Sequence, residues 1–267
     1  MTPEMAARLS ALNADFYARF GEDFGETRPR VNPGVKRVLG QILAGSTVID
    51  IGCGDGKVGR RVAGGRYLGL DSSAALLTRA CGLTRDSTGN AVAPLDASAL
   101  AAWPGSGPNV AFAQVDVLGQ GVGALSAGVA DWVVAFALLH HIPRHAQRVA
   151  LLRAMAGWLK PGGRLAVSCW QPQRSPRFAR LVRPWSEGGL DPAELEPADL
   201  LLGWERGGRS GLRYVRVIDA DEMHALIEAA GLLVLDGFSD DGHARNLADY
   251  VICTTAEAST LSAPPAP

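Results

Sequence analysis

The stretch Val48-Ile-Asp-Ile-Gly-Cys-Gly-Asp-Gly-Lys57 constrains the fold of this chain more than any other. Its apolar, β-branched start reads as a buried strand closed by Asp50. Glycines at 52, 54 and 56 then make a turn whose backbone N–H groups can approach a ligand where a Cβ would collide. The dinucleotide fingerprint G-x-G-x-x-G sets its third glycine one position later and rests a pyrophosphate on a helix N-terminus. Here the spacing is G-x-G-x-G and a carboxylate precedes the turn, a combination that suits a cation better than a phosphate.

Strand and helix patterns alternate around this turn. Strands are predicted at 47–51, 67–71, Val110–Val117, Ala130–Ala137, Arg164–Trp170, Leu232–Phe238 and Tyr250–Thr254. Helices are expected over 3–20, Pro33–Ala44, Lys57–Val62, from Ser72 or Ser73 to Cys81, Ala146–Leu159 and Asp219–Ala230. The result is an α/β chain with a mainly parallel seven-stranded sheet and helices on both faces. Residues 1–255 are expected to form one domain, with 1–44 as a helical lid. The Gly-, Pro- and Ser-rich 84–109 segment reads as a mobile insertion, 171–213 as an insertion after strand five on the substrate side, and 256–267 as a disordered tail.

Net charge is −1 over 267 residues, which excludes a platform that binds nucleic acid through bulk charge but permits a local basic patch. The four cysteines, at 53, 81, 169 and 253, form no C-x-x-C pair, so a structural zinc site is not expected and a reducing, cytoplasmic setting is. With no long uninterrupted apolar run, no membrane span is expected either.

The strand ending in Asp50-x-Gly-x-Gly-x-Gly56 resembles the first motif of the class I S-adenosylmethionine-dependent methyltransferases, a Rossmann-like family. The resemblance implies S-adenosyl-L-methionine as cofactor. It places Asp50 near the amino-acid end of that ligand, with the backbone of Gly52, Cys53 and Gly54 packed against it and Gly56 completing the turn. Ligands of parallel sheets bind beyond the carboxyl ends of the strands. Asp71, with Ser72 behind it, stands there on strand two, where a carboxylate can accept from both ribose hydroxyls. Asp116 and Val117 stand there on strand three, where this class meets adenine.

A narrower resemblance rests on Phe24-Gly-Glu-Thr-Arg-Pro-Arg30, the Gly54-Asp-Gly-Lys57 turn, the pair His140-His141, Trp170 after strand five, and Leu212-Arg-Tyr214. These segments are similar to the tRNA wobble-uridine carboxymethyl methyltransferases. That likeness implies a carboxylate acceptor on a modified uridine, tRNA as substrate and a small activator protein as partner. An ionised carboxylate attacks a sulfonium methyl without a general base and needs a cation to orient it. Arg28 and Arg30 are the candidates, since guanidinium matches a carboxylate in a bidentate fork.

His140 and His141 are read as pocket-lining, with a general base as the sharper alternative. Trp170 completes the acceptor-pocket candidates, and Arg174, Arg177, Arg180 and Arg183 form a stretch able to grip phosphates. The histidine expected after Arg213-Tyr is absent, because Arg216 follows Val215. Two alternatives stay open: a methyltransferase of a small metabolite, and a non-catalytic module that binds an adenosyl ligand.

Overall fold

The computed structural model describes residues 1–26, 30–62, 64–86, 88–105, 108–117 and 125–256. Strands β1 (Thr47–Ile51), β2 (Arg66–Asp71), β3 (Val110–Gln114), β4 (Ala130–Phe136), β5 (Leu159–Trp170), β9 (Leu232–Asp240) and β10 (Ala248–Thr255) build one sheet in the order β3-β2-β1-β4-β5-β10-β9. The first five run parallel, and β10 is antiparallel to both of its neighbours. Every residue of β1 is buried, as expected of a parallel strand covered on both faces. Ile49 and Ile51 face one apolar cluster, while Val48 and Cys53 face the other.

The helices α1 (Pro3–Glu26), α2 (Pro33–Leu39), α3 (Ala74–Leu83), α4 (Ala97–Ala102), α5 (His145–Gly157), α6 (Pro176–Ala179) and α7 (Ala220–Ala229) fill the connections. Ser73, rather than Ser72, caps α3 by accepting from the Leu76 N–H. Helix α1 runs six residues past the expected Phe20, and α2 stops at Leu39 rather than Ala44. The helix expected over Lys57–Val62 is only a 3₁₀ turn at Gly59–Arg61, where Gly59 packs so tightly on the Tyr67 ring that no Cβ fits. Strand three ends at Gln114 rather than Val117, because its pairing with β2 stops at Asp71.

The 84–109 segment carries more structure than a loop. It contains α4, buries Leu100 and Trp103 in the larger core, and sets the Leu95 N–H on the Phe112 carbonyl at 2.7 Å. Residues 171–216 form a second sheet, β6 (Val182–Arg183), β7 (Asp199–Arg206) and β8 (Arg209–Arg216), antiparallel throughout. Its β7–β8 hairpin clamps α1: Arg209 donates to Asp23 at 2.7 Å and to the Arg19 carbonyl at 2.6 Å, while Phe16 and Phe20 pack on Trp204. Of the stretch 256–267, all but Ala256 lies outside the described residues.

A ring of charged side chains ties this small sheet to the main one. Arg148, fully buried, donates to the Ile142 and Pro143 carbonyls at 2.7 and 2.9 Å and to Glu222 at 3.1 Å. Glu222 takes a fork from Arg216, which also reaches Asp199, and Asp199 accepts from the Tyr214 hydroxyl. The Tyr214 carbonyl then meets His141 Nδ1 at 3.1 Å, next in sequence to Ile142, so the ring closes.

Candidate active site

At the glycine turn, Gly52, Gly54 and Gly56 all have positive φ, of 71°, 56° and 69°. The three are required for different reasons. A Cβ on Gly56 would stand 2.7 Å from the Phe112 ring and one on Gly52 3.1 Å from Leu138, whereas a Cβ on Gly54 would meet nothing within 4 Å. Gly54 therefore presents bare backbone to open space, as a ligand cradle requires.

Beneath the turn, Asp50 is 2% exposed and its Oδ2 accepts from the Tyr67 hydroxyl at 2.7 Å. Burial pushes its carboxyl up to about 7. The Tyr67 hydrogen bond opposes that rise and the Asp71 charge adds to it. Asp71 braces the two loops: Oδ2 accepts from the Gly54 N–H at 2.8 Å and Oδ1 from the Ser73 N–H at 2.9 Å. Burial raises it too, against the pull of those N–H groups. Cys53 is buried with its Sγ over Gly69, and burial holds its thiol well above the ordinary range.

The two histidines sit in a 3₁₀ turn, Leu139–His141, just past β4 rather than on it, and their rings lie 4.4 Å apart. His140 is buried and its Nδ1 accepts from the Trp170 N–H at 3.3 Å. Burial, reinforced by His141 and Arg213, drives its pKa well below the ordinary imidazole value, so it is neutral. Arg213 of β8 is 4% exposed, with its guanidinium 5.1 Å from the Trp170 ring centre and 5.4 Å from that of Phe16. Phe178 stands edge-on to Trp170 at 4.8 Å.

Helix α1 roofs the space between these walls. Its residues Asn13, Tyr17, Gly21 and Gly25 recur every four positions and so share one face. Asn13 holds the Tyr214 N–H and carbonyl, and the Tyr17 hydroxyl lies 2.9 Å from His141 Nε2 at the end of β4. Gly21 packs on Ser73 and Leu76 at the end of β2, and Gly25 packs on Arg79 and Asp55 beside the glycine turn. One helix thus crosses all three strand ends that border the cleft.

The methyltransferase-domain family profile matches residues 17–236. The chain belongs to that family. It is a class I S-adenosylmethionine-dependent methyltransferase with the Rossmann-like fold described above. An S-adenosylmethionine-dependent methyltransferase from Methanosarcina mazei is similar in structure, with a TM-score of 0.60 at 15% identity over 84% of this chain and 98% of that one. A complex of the Haloferax volcanii Trm112 methyltransferase activator with a methyltransferase gives 0.59 at 16%, over 91% and 96%. Magnesium protoporphyrin IX methyltransferase from Synechocystis, with S-adenosylhomocysteine bound, gives 0.54 at 17%, over 91% and 97%. No curated protein matches the sequence.

In this methyltransferase Asp50, Gly52, Cys53, Gly54, Gly56 and Asp71 come together at the carboxyl ends of β1 and β2. Ser72 is exposed, and its carbonyl accepts from Gln114. Asp116 is exposed two residues beyond β3, with Val117 half-buried against the core. His140, His141 and Trp170 come together, the His140 ring 4.4 Å from His141 and 6.3 Å from Trp170. Arg28 lies outside the described residues, and Arg30 is exposed with no ion pair among the described residues.

The arginine stretch is divided. Arg174 forks onto Asp249 at 2.6 and 2.7 Å and Arg183 pairs with Glu205, so neither is held ready for phosphate. Arg213 and Tyr17 are the site residues that motif reading passed over. Arg213 lay within a recognised segment without a role, and Tyr17 was masked by the apolar face of its helix. The repeat of polar and small residues at 13, 17, 21 and 25 is the signal that could have revealed it.

No described helix is long and apolar enough to cross a membrane.

Proposed function

We propose that this methyltransferase acts on an acceptor bearing a carboxylate, held by Arg213. The observation that carries the reading is a guanidinium buried between two aromatic faces, beside an imidazole that stays neutral. A guanidinium so placed favours an anion that can take its planar fork. Trp170 and Phe178 supply apolar walls for the rest of the acceptor.

S-adenosylmethionine, when bound, supplies an electrophilic methyl on a sulfonium. The cradle fits it: open space over Gly54 and a carboxylate at the end of β2. Gly52, Cys53 and Gly54 would take its amino-acid end above Asp50. Asp71 would turn its remaining lone pairs to the ribose hydroxyls, with Ser72 nearby and Asp116 and Val117 at the adenine. Arg213, Arg28 and Arg30 would orient the acceptor while His140 keeps its site neutral. With an ionised carboxylate as nucleophile, alignment supplies most of the rate.

The modified wobble uridine of tRNA is an acceptor of this kind. It is supported by the Phe24–Arg30, His140-His141 and Leu212–Tyr214 segments, and by similarity to a methyltransferase bound to its Trm112 activator, which also motivates a small activator partner. A free small carboxylate is the second reading. The ion pairs of Arg174 and Arg183 favour it, since they remove half of the basic stretch available for a nucleic-acid backbone.

Incubation with methyl-labelled donor and either total tRNA or a metabolite extract, followed by identification of the labelled product, separates the two. Arg213→Met should abolish transfer with donor affinity intact. Undiminished transfer in that variant would remove the basis of the proposal.

A further inference from the structure

Carboxylate methylation needs no proton acceptor, yet His141, held between Tyr17 and the Tyr214 carbonyl, is one that this reading leaves unused. His141 Nδ1 lies 3.1 Å from the Tyr214 carbonyl. A carbonyl only accepts, so Nδ1 carries hydrogen, the Asn13 amide nitrogen 3.5 Å from it being turned to the Tyr214 and His141 carbonyls at 3.2 and 3.3 Å; with Nε2 then the acceptor, the Tyr17 hydroxyl, 2.9 Å away, donates to it. The order is that of an activated hydroxyl: an O–H on an imidazole nitrogen whose far side is fixed by a third group. The third group is itself fixed, because Asn13 holds Tyr214 by both its N–H and its carbonyl and the charged ring holds its side chain. Tyr17 also lies on the face of α1 that it shares with Gly21, one turn on, which packs on Ser73 and Leu76 after Asp71.

We infer that Tyr17, with His141 behind it, is a catalytic residue for a further activity: methylation of a hydroxyl on an acceptor whose carboxylate is held by Arg213. The inference rests on the Arg213 reading for how the acceptor is anchored. The acceptor oxygen forms the new O–CH3 bond as the sulfonium C–S bond breaks and its electron pair stays on sulfur. The hydroxyl proton passes to the Tyr17 oxygen while the Tyr17 proton passes to His141 Nε2. The imidazolium keeps its Nδ1–H on the Tyr214 carbonyl and later releases one proton to water. The substrate class is thus a hydroxy-carboxylate with an aromatic or flat body, suited to Trp170 and Phe178.

Two measurements on the full chain test this. Benzoate and the three hydroxybenzoates, offered with S-adenosylmethionine, can yield esters and ethers that mass spectrometry distinguishes. The wild type should form ether, and Tyr17→Phe should lower the ratio of ether to ester about a hundredfold, the scale of a lost proton acceptor. Ester without ether, or an unchanged ratio in Tyr17→Phe, would overturn the inference and leave the Arg213 reading standing. Neither product, with benzoate failing to bind, would fail the Arg213 reading itself. Independently of turnover, nitrogen-15 NMR of the five histidines in the S-adenosylhomocysteine complex should show His141 with Nδ1 protonated and Nε2 accepting. An Nε2–H ring there would refute the relay whatever the probes do.

Discussion

The hydroxyl of Tyr67 on β2 donates to the carboxylate of Asp50 on β1 across a fully buried gap of 2.7 Å, directly under the glycine turn. With its carboxyl raised from an ordinary value of 3.8 to about 7, Asp50 binds its proton more tightly folded than unfolded. Stability from this group is therefore complete below about pH 4 and falls as pH climbs towards 7, by at most about 4 kcal/mol. Asp50→Asn should flatten that loss, so urea unfolding of the variant at pH 7.5 should match or exceed the wild type. Its affinity for S-adenosylhomocysteine should drop, as read by calorimetry. A variant less stable than wild type at both pH 5 and pH 7.5 would contradict this account.

Gly54 and Gly56 should separate ligand binding from folding. Gly56→Ala drives a methyl into Phe112 at positive φ and should cost about 3 kcal/mol or more of unfolding free energy. Gly54→Ala bears only the backbone penalty, about 1–2 kcal/mol, yet places its methyl in the cradle. Cofactor affinity should fall at least about tenfold there, equivalent to about 1.4 kcal/mol. Chemical denaturation and calorimetry on both proteins decide the matter.

Arg174 and Arg177 should behave oppositely although they are three residues apart. Arg174→Ala leaves the mostly buried Asp249 without its fork, and the cost should be about 2 kcal/mol, reduced from a fully buried pair because Arg174 is 30% exposed. Arg177→Ala should be stability-neutral within about 0.5 kcal/mol. A tRNA acceptor would instead reveal itself in weaker, less salt-dependent binding by an Arg177→Ala, Arg180→Ala double variant.

Gly21 gives access to the motion of the roof. A Cβ there would lie 3.2 Å from Leu76, so Gly21→Leu wedges α1 away from α3. Dissociation of S-adenosylhomocysteine, followed by stopped flow, should accelerate about tenfold or more. An unaltered off-rate would mean that ligand leaves by a route α1 does not cover.

Much of this arrangement was legible in the residues. The glycine turn, Asp50 and Asp71 were readable because they are local: each is fixed by its own strand and the loop after it. The seven strands were readable from buried β-branched runs. Arg213 and Tyr17 were not, since their roles come from contacts between α1, β8 and the turn after β4, separated by 73 to 201 residues of sequence. The same limit explains the 84–109 segment, whose Gly-, Pro- and Ser-rich composition hid the burial of Leu100 and Trp103, and the ends of β3, where pairing with β2 rather than local propensity sets the last residue. Arg174 shows the converse error: an arginine stretch looks uniform in sequence, and only Asp249 across the sheet distinguishes one member.

The ring that runs from Arg148 through Glu222, Arg216 and Asp199 to Tyr214 and back to the His141 turn also shapes how this chain can change over generations. Losing Glu222 leaves the fully buried Arg148 without its counterion, and losing Arg216 does the same to Asp199, at about 3–5 kcal/mol for such a buried charge, while replacing a whole buried set with apolar residues of similar volume is often neutral. A path that removes Glu222 or Arg216 first therefore crosses a poorly folded intermediate. Glu222 and Arg216 should therefore change together with their partners or not at all, whereas differences in acceptor should be concentrated at Trp170 and Phe178, which carry no buried ion pair and can be exchanged one at a time.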